Sequence, residues 1–290
     1  MNNPLLQIDG LPAFDAIRPE HVAPAIDALL ADANAALETA VSAAVPAEYE
    51  AMSAVLDVAT ERLGKAWGAV SHLNAVADTP ELRAAYTANL PKLTEFHTRL
   101  GADERLYAKY KAIAASPAAA GLTTPRRKAL ANALRDFVLS GAELQPAAKT
   151  RFAAIQARVA DLEQQYSEHV LDATDGFAYF ATVAELEGVP ADVMQATREA
   201  AQAEGKEGHK LTLHYPVYGP VMQYATQRAL RKTLYTAYVT RASELGPPER
   251  DNGPLMQALL ALRHEAAELL GHASYADVSL VPKIDRKSVV

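Results

Sequence analysis

The amino-acid sequence predicts an all-α protein, a mainly helical bundle, with a small two-stranded β element near residues 177–215. Three observations carry this. Apolar residues recur at a period near 3.6 between Pro, Gly and Asn punctuation along most of the chain. One long segment, RFAAIQARVADLEQQYSEHV at 151–170, holds an unbroken heptad seam. Only 176–215 changes character, through two short stretches rich in aromatic and β-branched residues.

The elements follow in order. After Arg18-Pro19, the segment 20–37 sets Val22, Ile26, Leu29 and Leu30 on one helical stripe. Helical patterns cover 48–76, 79–101, 103–115 and 124–139, the last ended by Ser140-Gly141 as a C-terminal cap. In the seam, Phe152, Ile155, Val159, Leu162, Tyr166 and His169 alternate spacings of three and four. The seam is short and isolated, so it predicts packing inside an antiparallel bundle rather than a coiled-coil dimer. Next, GFAYFA at 176–181 and KLTLHY at 210–215 are candidates to pair as strands around the helix ADVMQATREAAQAEG. Helices resume at 217–227, 228–244, 254–270 and 274–281, and in the loop ELGPPERDNGP Asn252 is a candidate N-cap.

With 290 residues, half of them apolar, the chain is long enough for one large domain or two closely packed ones. Net charge is −7 and the basic residues are scattered, which argues against nucleic acid as a partner. Without cysteine there is no disulfide and no thiolate ligand, so a zinc ion would need His, Asp or Glu. No secretory leader pattern opens the chain and no window approaches ~18 unbroken apolar residues, so the expectation is a cytoplasmic protein with no membrane partner.

The stretch LRHEAAELLGH at 262–272 resembles the zinc-binding H-E-x-x-H with its second histidine replaced. In that motif two histidines four apart share a helix face and bind the metal, while the glutamate activates water. Here His264 and Glu265 fit, but position 268 is Glu, a residue that can itself ligate zinc. The third ligand is the difficulty. The 22 residues after Glu268 contain no further Glu, and Gly271 is expected to end the helix, placing His272 beyond it. Leu262, Ala266, Leu269 and Leu270 form an apolar stripe, so the sequence predicts a structural helix and no metal site at His264, Glu265 and Glu268. His209 and His214, five apart around an expected strand, fall on opposite faces of its pleat and share no metal. No G-x-S-x-G elbow, P-loop or G-x-G-x-x-G is present. Tyr215, Tyr218 and Tyr224 suit either loop packing or the lining of a peptide channel. The expected set of catalytic, cofactor-binding and metal residues in this chain is therefore empty.

Several stretches resemble the thimet oligopeptidase family of zinc metallopeptidases: NPLL, FDAIRPEHVAPAI, VSHLNAV, ALRDFVLSG, YSEHVLDAT, LTLHYPVYGPVM, YTAYVTRASELGP and LRHEAAELLGHASYADVSL. They run in order from the start to about residue 284. The resemblance implies the N-terminal portion of a prolate, mainly helical fold whose channel admits short peptides, with zinc bound in the full-length parent and none bound by this chain. It implies that the segment like LRHEAAELLGH lies upstream of the true zinc motif, and that every zinc ligand belongs to a missing C-terminal catalytic half, the partner of this chain. It divides the chain into an N-terminal helical region at 1–141, a continuing helical region at 142–284, and a non-family tail at 285–290. The expected function is one wall of a peptidase channel, inactive alone. The competing reading is a stand-alone helical interaction or scaffold module.

Overall fold

A computed structural model describes residues 3–7 and 9–283. The expected tail at 285–290 lies outside them. Among the described residues the chain forms eleven α-helices and one two-stranded antiparallel sheet. It divides into two compact units, the first made of residues up to Asp161 together with those from Leu260 onward, the second of Leu162–Leu259.

The first unit is organised by α1 (Pro19–Val41). Pro19 supplies a preset φ at the first helical position, and the Arg18 amide donates to His21 Nδ1 at 3.1 Å, so the helix start is fixed twice. Val22, Ala25, Ile26, Leu29, Ala33, Leu37 and Ala40 along one stripe are buried. α2 (Tyr49–Val76), α3 (Pro80–Gly101) and α4 (Glu104–Ala115) pack around it. Toward its start α1 meets Leu63, Val70 and Phe96, and toward its end Met52, Leu106 and Phe137. Trp67 stacks on Tyr86 with ring centres 4.5 Å apart, joining α2 to α3. The exit of α1 is held by Lys109, whose Nζ donates to the carbonyls of Ala40, Ser42 and Val45 at 2.5–2.6 Å.

α5 (Thr124–Leu139) ends as the sequence requires. Gly141 has φ +85°, its amide bonds to the Val138 carbonyl and that of Ala142 to the Phe137 carbonyl, the paired bonds of a left-handed C-terminal cap. α6 (Pro146–Asp175) follows, and the division between the units falls within it. In the first unit Phe152 and Ile155 of the seam are buried against Ala266, with Val159, Leu262, Leu269 and Leu270 around them. In the second, Leu162 is buried, but Tyr166 is 37% exposed and His169 half-buried. The seam is thus a core row only as far as Leu162. Beyond it the amphipathic Tyr166 and His169 serve a polar junction instead of an apolar core.

In the second unit β1 (Tyr179–Ala181) pairs with β2 (His209–Leu211) in the register Tyr179 to Leu211, Phe180 to Lys210 and Ala181 to His209. Both strands are shorter than the stretches read from sequence. α7 (Ala191–Ala203) lies between them in the chain, and α8 (Tyr215–Tyr224) and α9 (Arg228–Val239) follow. Leu186, Leu211, Val221, Leu230 and Leu234 form the core. Gly208 enters β2 with φ +86°, where a Cβ would sit 2.6 Å from the Ala181 carbonyl oxygen, so only glycine fits that approach of the strands. α10 (Gly253–Leu269) leads back into the first unit, which α11 (Tyr275–Leu280) also joins.

Asn252 does not act as the expected helix cap. Its side chain is buried, with Oδ1 2.8 Å from His169 Nδ1 and Nδ2 donating to the Tyr166 carbonyl at 3.1 Å. The amide of Gly253 at the start of α10 is accepted by Asp251 Oδ1 at 2.8 Å. A buried amide has four bonding positions to satisfy, and facing α6 satisfies two of them where a cap satisfies one.

Candidate functional site

α10 places His264, Glu265 and Glu268 on its outward side because Ala266 and Ala267 turn inward and are buried. His264 Nε2 lies 3.3 Å from Glu268 Oε1, an exposed pair one helical turn apart. Glu265 points elsewhere. Arg151 of α6 grips it through two parallel contacts, Nε to Oε1 at 2.5 Å and Nη2 to Oε2 at 2.6 Å, a fork matched to a carboxylate. Hydrogen bonding to that guanidinium holds the Glu265 carboxyl below the usual glutamate range, the reverse of what a water-activating base requires. No local spacing in the sequence signals the pair, since 114 residues separate Arg151 from Glu265.

The end of α10 is a second left-handed cap. Gly271 has φ +78°, its amide bonds to the Glu268 carbonyl, and the His272 amide bonds to the Ala267 carbonyl. His272 therefore begins a new direction of chain, as its place after Gly271 predicts. Among the described residues no group of three His, Asp or Glu side chains is disposed to hold a metal ion.

Also within the first unit lies a cavity of about 320 Å³ against the inner side of α10. Leu139, Phe152 and Leu270 supply its apolar surface, and His97, Ser140 and Gln156 its polar groups. Burial lowers the His97 imidazole pKa, which favours the neutral ring.

The other histidine pair is arranged differently from its expectation. β2 ends at Leu211, so His209 and His214 do not share a strand. His209 is buried, its Nδ1 3.1 Å from Thr197 Oγ1, whose hydroxyl donates to the Val193 carbonyl at 2.8 Å. With the hydroxyl proton committed there, Nδ1 is the donor to Thr197. His214 stands at the N-cap of α8 with Nε2 3.0 Å from Asp175.

The three tyrosines of α8 also separate. Tyr215 is 75% and Tyr224 48% exposed, while Tyr218 stacks on Tyr238 of α9 with ring centres 4.2 Å apart. The Arg241 guanidinium lies 3.8 Å from the centre of the Tyr238 ring, completing a stack of two rings and a cation. Burial, and then the neighbouring phenols Tyr238 and Tyr235, push the Tyr218 hydroxyl above its ordinary value.

A family profile described as "Neurolysin/Thimet oligopeptidase, N-terminal domain" matches residues 26–149, and one described as "Peptidase family M3" matches residues 221–290. The chain is 45% identical to oligopeptidase A of Salmonella typhimurium over 98% of its own length and 42% of that protein's. It is 43% identical to oligopeptidase A of Escherichia coli, again over 98% of this chain and 42% of the relative. A probable cytosolic oligopeptidase A of Arabidopsis thaliana is 38% identical over 98% of this chain and 41% of the relative. The chain spans about two fifths of the length of these relatives, and corresponds to their N-terminal part.

Proposed function

Because the chain belongs to the thimet oligopeptidase family, peptidase family M3, we propose that it is the N-terminal part of a cytoplasmic zinc metallo-oligopeptidase that cleaves short peptides. The observation that carries this is the match of 98% of the chain to 42% of oligopeptidase A at 45% identity, over a length that takes in both compact units. In this reading the regions 1–141 and 142–284 form one wall of a peptide channel, and the catalytic half is the part of the relatives that this chain does not match. A cytoplasmic setting is supported by the name of the cytosolic plant relative, and no described helix is long and apolar enough to cross a membrane.

The residues present do not fit a catalytic zinc. His264 and Glu268 pair with each other and Glu265 is held by Arg151, which leaves no third donor converging on that face among the described residues. Peptide hydrolysis on zinc needs three protein ligands around an open position, a base for the bound water and donors to the oxyanion. The proposal therefore assigns this chain no step of the chemistry, only the shape of the channel wall.

A quenched-fluorescence peptide assay tests it. The isolated chain with added zinc is expected to cleave nothing, while mixing it with the C-terminal three fifths of an oligopeptidase A restores zinc-dependent cleavage. Chelator-sensitive cleavage by the isolated chain, lost in His264→Ala, would overturn the reading.

A further inference from the structure

Away from α10, the first unit holds a crevice of about 210 Å³ between α2, α4 and α5. Its floor is Met52, Ile113, Ala129 and Ala133, and its polar groups are Tyr49, Ser53, Asp57 and Tyr110. These fall into place through helical spacing. Tyr49, Met52, Ser53 and Asp57 stand three, one and four residues apart along α2, so they line one face of it, and Tyr110 and Ile113 repeat the spacing on α4.

Charge distinguishes this crevice. Asp57 is its only ionisable carboxylate and no Lys, Arg or His lines it. On the same helices, Arg126 of α5 pairs with Glu50 at 2.7 Å and Lys109 of α4 is turned to the carbonyls of Ala40, Ser42 and Val45. The Ser53 hydroxyl donates to Asp57 Oδ2, which leaves Oδ1 without a side-chain partner among the described residues. Burial, then the Asp57 charge and Tyr49, push the Tyr110 phenol up to about 12, so it stays neutral at physiological pH and its ring remains an uncharged wall. A carboxylate at the mouth, two phenol rings and a thioether are the surroundings in which a cation is attracted by charge and by ring faces together. At about 210 Å³ the space is smaller than a drug-sized site and suits a side-chain-sized ligand.

We propose that the crevice between α2, α4 and α5 binds a primary alkylammonium group, with Asp57 as its counter-ion and Tyr49 and Tyr110 as its aromatic walls. The alkyl portion lies over Met52, Ile113 and Ala133, and the ammonium protons reach Asp57 Oδ1. A free alkylamine and a lysine side chain of a peptide share this chemistry.

NMR titration of the full chain separates the sources and tests the site. The probes are n-butylamine, charged at pH 7, n-butanol as its neutral counterpart, and Nα-acetyl-lysinamide as the lysine side chain. The methyl signals of Met52, Ala129 and Ala133 are expected to shift with at least one of the two cations, and butanol to bind at least about tenfold more weakly. Tighter binding of butylamine assigns the site to a free amine, and tighter binding of lysinamide to a peptide lysine; both support the proposal. Asp57→Asn, whose fold is checked by circular dichroism, should weaken the cations by about tenfold. Tyr49→Leu, a second variant independent of the charge, should weaken them several-fold. Equal shifts by butanol and butylamine, or cation binding unchanged in Asp57→Asn, overturn it.

Discussion

Val22, Ala25, Ile26 and Ala33 on α1 are wholly buried and bring no polar side-chain atom with them, whereas the second unit buries His209, Thr197 and Asn252 among its leucines. The two units reach the same burial by different routes. Among the described residues the first unit buries one polar side chain, Asn89 of α3, whose Nδ2 donates to the Ala85 carbonyl of its own helix. Otherwise it fills its interior with the aliphatic stripe of α1, so its stability rests mainly on apolar area and close packing. The second joins short elements, two strands of three residues and helices of 10–13 residues. Such short pieces bury less apolar surface each, and the buried polar side chains fix how their backbones meet.

The largest test of this contrast is on α1. Leu29 is 1% exposed at the centre of the stripe, and Leu29→Ala should lower unfolding free energy by about 2–5 kcal/mol in urea. Leu260→Ala, at a side chain 68% exposed, should change it by less than about 0.5 kcal/mol. Equal losses would mean that the α1 stripe is not the interior that holds the first unit.

The same contrast explains what was legible beforehand. The positions of α1 to α5 follow from apolar periodicity and from Pro and Gly at their ends, and the structure places them within a few residues of the sequence reading. The left-handed caps at Gly141 and Gly271 were readable because only glycine takes that conformation without cost after a helix. The sheet was readable as a change of composition, but its length was not, since Gly208 and the Ala181 carbonyl set where pairing begins. Asn252 was misread because cap preference is local, while its actual partners, Tyr166 and His169, lie 86 and 83 residues away. Glu265 posed the same problem, because a long-range guanidinium and not its neighbours in HEAAE decides where it points.

A smaller effect is expected at the polar junction. Asn252→Leu keeps the branching of the side chain, though not its smaller volume, and leaves His169 Nδ1 and the Tyr166 carbonyl without their present partner, at a cost of about 1–3 kcal/mol. Asn252→Asp keeps an acceptor for His169 while removing the donor to Tyr166, and should fall between the wild type and the leucine variant. A leucine variant as stable as the wild type would show that the second unit does not depend on this buried polar side chain.

The smallest effect, and the one that bears most directly on HEAAE, is the titration of Glu265. Its bond to Arg151 favours the carboxylate, so the folded-state pKa is depressed. The resulting contribution to stability is fully present above the unfolded-state value of about 4.3 and is lost as pH falls through the lower folded-state value. Both partners are substantially exposed, so solvent and salt screen the pair and its share of stability is small even though its geometry is bidentate. Carbon-detected NMR of the Glu265 carboxyl should give a midpoint below the ordinary glutamate range, and Arg151→Met should move it upward toward that range. A glutamate poised to take a proton from water behaves oppositely, with a midpoint raised toward neutrality by burial. A raised midpoint in the wild-type chain, unmoved by Arg151→Met, would therefore return HEAAE to the list of candidate catalytic groups, while a depressed one fixes Glu265 as half of a helix-to-helix clasp between α6 and α10.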